Sequence, residues 1–285
     1  MNKKSSKNVE QKFSRLAKPY VVWLYILALL PALLMFLLIF VDNEGIDLSD
    51  ASLTFKNFAQ LLESSTIIAF LNSITLSVLS TFICAVLGYV VAYKLFKSRI
   101  KNKFIVLTII ILPMWANVLL RIEALGNIME PNNIMTYLLA KIGINIHINI
   151  RGTYFAVLIG LVFTYLPFMI LPIYTALEKV DVSLEEAALD LGLTNMQKFW
   201  KVIFPLSFKG VITGSIMVLL PCLSGFAIPE ILGKGNILMI GNVIEQMFKA
   251  MNYNIGSMIA IIILFIITGS ILVVNKFDKE GETLI

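Results

Sequence analysis

Apolar residues gather into six long blocks, at 20–41, 66–93, 104–120, 152–177, 210–228 and 255–274, with short polar stretches between them. A helix rises 1.5 Å per residue, so about 20 apolar residues cross a bilayer core of roughly 30 Å. Each block is read as a membrane-spanning helix, with 104–120 the shortest. Pro31, Pro113, Pro167, Pro172 and Pro221 fall inside blocks. Membrane helices tolerate such breaks where neighbours satisfy the released backbone groups, and Pro167 with Pro172 predicts a bend in the fourth block. The first block is longer than a signal-peptide core and is followed by no small-residue cleavage site, so it reads as a retained span. In the second block, Ser73, Ser77, Thr81 and Ala85 recur every fourth residue, and Gly88 and Ala92 continue a small-residue stripe suited to close helix packing.

The polar stretches differ in character. The segment 54–62 predicts a short surface helix with Phe55, Phe58, Leu61 and Leu62 on one side. The connector 121–151 carries the turn former Pro131-Asn132-Asn133, and 229–254 is a glycine-rich connector with Gly233, Gly235 and Gly241. The stretch 183–206 has more internal order than a passive link needs. Ser183 with Glu186 predicts a capping box, and Leu184, Ala187, Ala188 and Leu191 lie on one helical face. Gly192 suits a left-handed C-terminal cap. Thr194 with Gln197 opens a second capped helix, Phe199, Trp200 and Ile203 give it an apolar side, and Pro205 is expected to end it. The prediction is a helix–turn–helix between two spans.

Composition supports the membrane reading. The 285 residues are 58% hydrophobic, with mean hydropathy +0.87 and 14% charged, where soluble domains carry about 25%. The net charge of +5 is explained by placement. With the N-terminus inside, inner segments hold roughly three times as many Lys and Arg as outer ones, the bias that sets membrane orientation. This assigns the basic residues to topology rather than to nucleic acid, and puts 183–206 in the cytosol. Cys84 and Cys222 sit in apolar runs and read as small buried hydrophobes. His147 stands in a polar connector with no ligand cluster around it. No charge lies mid-block, which argues against a proton relay and less strongly against sodium coupling. Gly233-Lys234-Gly235 lacks the spacing and Ser/Thr of a phosphate-binding loop, and H-E-x-x-H and G-x-S-x-G are absent. Energy for any work done here must then come from another subunit.

Glu186-Ala187-Ala188, three residues, Gly192, nine residues, then Val202-Ile203-Phe204-Pro205 resembles the EAA loop of ABC-importer permeases. Val202 and Phe204 depart from the family's Ile-x-Leu-Pro ending. Residues 160–205, Pro113-Met114-Trp115-Ala116-Asn117 with Leu120-Arg121-Ile122, and Leu219-Leu220-Pro221 through Glu230 to Gly241-Asn242-Val243-Ile244 resemble polyamine (spermidine/putrescine) importer permeases, specifically the first of the two permease subunits. The resemblance implies an all-α type I importer fold with both termini cytoplasmic. It implies a basic N-terminus over 1–19, a permease domain over 20–275 with its coupling loop at 178–209, and a tail over 276–285. It further implies a second permease subunit, two copies of an ATPase that binds the ATP and Mg, and an extracytoplasmic polyamine-binding protein, with no cofactor or metal on this chain. The coupling residues so implied are Glu186, Ala187, Ala188, Gly192, Trp200 and Pro205. A flexible polycation calls for sparse carboxylates and aromatic faces, and the candidates are Trp115, Asn117, Tyr165, Phe226 and Glu230. Competing readings are a permease for another solute, a sodium-coupled carrier working alone, and a non-transporting membrane scaffold.

Overall fold

The computed structural model describes residues 3–42, 52–142 and 149–277. Residues 43–51, His147 and residues 278–285 of the tail lie outside them. Two compact units are present: Met1–Glu63 with Gln246–Phe265, and Ser64–Glu245 with Ile266–Ile285.

In the first unit, α1 (Lys3–Leu38) contains the apolar span Lys18–Leu38. A two-residue antiparallel pair follows, β1 (Val41–Asp42) against β2 (Ser52–Leu53). Asn57 donates to the carbonyls of Ile39 (2.8 Å) and Val41 (3.2 Å), fixing this turn. The expected surface helix over 54–62 is a 3₁₀ helix, Lys56–Leu62. Its Leu61 packs on the Ile39, Met258 and Ile261 cluster, while Phe55 and Leu62 stay exposed.

The second unit is built on α2 (Ser64–Lys97), α6 (Tyr154–Glu178) and α9 (Phe204–Ser224), which share one apolar core. The small-residue stripe faces it: Ser73, Ser77, Thr81, Gly88 and Ala92 are buried. A methyl group on Gly210 would lie 2.6 Å from the Pro172 carbonyl oxygen and 2.7 Å from the Ala176 Cβ, so α6 and α9 meet backbone to backbone there. The cysteines are fully buried in this core, as expected. Cys84 Sγ lies 3.8 Å from the Val162 carbonyl oxygen, and Ser80 Oγ donates to Cys222 Sγ at 3.5 Å.

Two expectations are corrected. The third span is not continuous over 104–120. α3 (Lys103–Ile111) and a 3₁₀ turn (Leu112–Trp115) are followed by α4 (Val118–Ile128), bent by 90°. Pro113 tightens the turn, Ala116 is extended, and Asn117 starts a fresh helix by accepting from Leu119 N–H at 2.9 Å. Arg121 and Glu123 accordingly sit in the second arm of this broken span. The glycine-rich connector is not irregular: after α5 (Ile134–Lys141) and the spans, it holds most of α10 (Ala227–Gly233) and all of α11 (Ile240–Lys249). α12 (Tyr253–Phe277) supplies the last span. α6 is a single helix that contains both Pro167 and Pro172.

Candidate functional site

The hairpin predicted over 183–206 forms, with different boundaries. α7 (Val182–Asp190) begins two residues early, so the Ser183–Glu186 capping box is not made. Asp181 is the cap instead, extended in backbone and accepting from Ser183 N–H at 2.9 Å. That hydrogen bond holds the Asp181 carboxyl below its usual range, and an anion at this end also suits the helix dipole. Gly192 adopts φ +80°. Its N–H bonds Leu189 O and that of Leu193 bonds Ala188 O, a Schellman closure of α7. Thr194 and Gln197 make both bonds of the second capping box and open α8 (Asn195–Lys198).

Pro205 does not end this second leg. α8 passes into a π stretch (Phe199–Ile203) and on into α9, so one apolar helical run extends over Asn195–Ser224. Pro205 is the second residue of α9, directly after the π stretch. The π stretch is held by aromatic packing. Tyr93 and Tyr89 meet the Phe199 ring at 5.0 and 5.7 Å, and Tyr89 shares a 2.7 Å hydrogen bond with Ser207.

The expected apolar face of α7 turns away from this chain's core. Ala188 is buried, while Ala187 and Glu186 are exposed, as are Leu184 and Leu191, the latter at 83%. Met196 (68%) and Trp200 (55%) extend the exposed apolar surface along the second leg. Beside the hairpin root, α6 and α9 leave an open groove of about 710 Å³ lined by Leu171, Thr175, Leu184, Leu206, Lys209 and Met217.

Sequence reasoning missed Glu185. It is 4% exposed, and its Oε2 accepts from Lys97 at the end of α2 and lies 3.3 Å from Lys198 Nζ in α8. Burial opposes its charge, but the hydrogen bonds from Lys97 and then Lys198 outweigh that and hold the carboxyl below its ordinary value. Two adjacent glutamates look alike in sequence, and no local signal marks which one meets α2.

At the other end of α9, Phe226 and Glu230 come together, with Tyr165 beside the preceding Gly225. The Tyr165 hydroxyl lies against Gly225, 3.7 Å from where a Cβ would stand. Phe226 caps α10, and Glu230 is exposed in its first turn. Fully buried Asn242 orders the group: its Nδ2 donates to Phe226 O (2.9 Å) and Glu230 Oε2 (3.3 Å), and its Oδ1 accepts from Met239 N–H. Trp115, 88% exposed, and Asn117 lie instead at the break of the third span. Nearby, Arg151 binds Glu123 (3.0 Å) and Glu130 (3.0 Å), and Lys234 binds Glu130 (2.6 Å). These pairs join α4 and its following turn to the end of α10. The Lys234 hydrogen bond holds the Glu130 carboxyl below its usual range.

Residues 85–279 match the family described as binding-protein-dependent transport system inner membrane component. The spermidine/putrescine transport system permease protein PotB of Haemophilus influenzae is 35% identical over 258 residues, covering 90% of each chain. PotB of Escherichia coli is 35% identical over 229 residues, 80% of this chain and 83% of that protein. The same fold occurs in a crystal structure of a bacterial ABC transporter involved in the import of the acidic polysaccharide alginate, with TM-score 0.77 and 17% identity over 98% of this chain and 100% of that one.

Proposed function

This chain belongs to the binding-protein-dependent transport system inner membrane components, and we propose that it is one permease subunit of an ATP-driven polyamine importer. It is a multi-pass protein of the bacterial cytoplasmic membrane. The polyamine reading is supported by the 35% identical PotB relatives over most of the chain, which also disfavours a carrier working alone. The partners we assign are a second permease, two ATPase copies that hold the ATP and Mg, and an extracytoplasmic binding protein.

The observation that carries the coupling role is the hairpin's exposed apolar surface. Leu184, Leu191, Met196 and Trp200 stand outward on two capped helices, and burying each Leu or Met against a partner is worth about 1.5–3 kcal/mol. The Lys and Arg bias supports a cytosolic position for this surface, within reach of an ATPase. Ala187 allows close approach, Glu186 offers a charge at the rim, and Gly192 makes the turn. The unbroken run from Asn195 into α9 then carries displacement of the second leg into a membrane span. Toward the opposite face, Tyr165, Phe226 and Glu230 offer two aromatic rings and a carboxylate, a set suited to a passing polycation.

The test is reconstitution of the complete complex in proteoliposomes. ATP-dependent uptake of labelled spermidine or putrescine is expected, and Gly192→Asp should uncouple ATP hydrolysis from uptake while the protein still inserts. Uptake without the ATPase, or normal transport by Gly192→Asp, would overturn the reading.

A further inference from the structure

The coupling hairpin has a second attachment to the membrane domain besides its chain ends. Glu185, one residue before the Glu186 that the family pattern singles out, is buried rather than exposed. Its Oε2 receives Lys97, the last residue of α2, and Lys198, in the other leg of the hairpin. Its Oε1 is buried without a hydrogen-bond partner. Two cations thus converge on a single oxygen. One joins the two legs to each other, and the other joins them to a span more than eighty residues earlier in the chain. On the other side of α7, Leu184 borders the open groove, so packing there is incomplete.

Resting on the coupling reading above, we propose that Glu185 is a positioning residue: the Lys97–Glu185–Lys198 trio latches the hairpin to α2, so that a force applied to the hairpin also moves the second span. Without the latch, the first leg is held by its chain connections and Ala188, and the hairpin can tilt over the groove without moving α2. An ion pair is suited to this task. Its partners sit on separate elements, and stripping one leaves the others charged and partly buried, a loss larger than the pair's net worth. Lys97 and Lys198 then do more than bias topology.

The experiment uses the full importer in lipid nanodiscs and proteoliposomes. Glu185→Gln is expected to lower solute taken up per ATP hydrolysed by about tenfold, with assembly intact. The exchange Glu185→Lys with Lys97→Glu and Lys198→Glu, which reverses every charge of the trio, should restore most of it, which a merely folding-related defect would not allow. Spin labels at Lys94 and Asp190, both exposed, read the latch directly. A single narrow distance is expected in resting and ATP-bound wild type, and a broad distribution in Glu185→Gln. Unchanged uptake per ATP in Glu185→Gln, or a broad wild-type distance, overturns the latch. If Gly192→Asp uncouples in the same assay, the hairpin reading survives that failure; if both variants transport normally, both readings fall.

Discussion

Glu230 shows what one side chain contributes. It is exposed, yet one oxygen is held by Asn242, whose amide is fully buried and also bonded to Phe226 O. The carboxylate is therefore presented in one place rather than sampling many. Glu230→Gln keeps the size and the Asn242 contact while removing the charge. The expected outcome is a two- to fivefold rise in KM for polyamine uptake, about what a solvent-exposed charge pair is worth, with ATPase activity unchanged. Labelled uptake across a concentration series measures it, and an unchanged KM removes Glu230 from the pathway. Legibility varied at this scale. Gly192 and the Thr194–Gln197 box were readable because their causes lie within four residues. Asp181 displaced Ser183 as the cap because an extended residue with a charged acceptor stood two positions earlier. Glu185 was invisible, since its significance depends on Lys97.

Between elements, close backbone approach and charge pairing do different work. α6 and α9 touch where Gly210 meets Pro172 and Ala176. Gly210→Ala must part the two helices, because the obstructing atom is a carbonyl oxygen rather than a movable side-chain tip. The expected cost is about 1–3 kcal/mol, typical of overpacking, visible as a lower melting temperature of the purified protein. The Glu130 clasp predicts a pH dependence. Its carboxyl is held low in the folded protein, first by Lys234, so it contributes stability throughout the pH range above the ordinary carboxylate value. That contribution is lost as pH falls through the lowered value. The melting-temperature gap between wild type and Glu130→Gln should be widest at neutral pH and close in acid. Sequence patterning found the spans because hydrophobicity is a property of whole segments. It missed the break after Trp115, which Pro113 and Asn117 impose locally inside an apolar run. It also missed α10 and α11, whose glycines suggested loop while their remaining residues pack.

In the second unit, one end of α9 leads to a hairpin with an exposed apolar surface and the other to a small polar and aromatic cluster. The core of α2, α6 and α9 joins the two ends. The order of spans and the existence of the hairpin were legible from sequence, because both follow from alternation of apolar and polar stretches. How the hairpin is tied to the core was not, because that depends on contacts between distant segments. The broken third span has one more consequence. Lys103–Trp115 reaches only about 20 Å at 1.5 Å per residue, short of a hydrocarbon layer of roughly 30 Å. The chain then turns through 90° with Ala116 extended, leaving peptide groups outside any helix at that depth. Oil cannot satisfy them. The chain itself meets Pro113 O, through Ala116 N–H and the Arg121 guanidinium, and Asn117 O, through Arg121 N–H; the other groups need water or protein, so spin labels at residues 115–117 are expected to contact water-borne relaxation agents or protein, and not acyl chains.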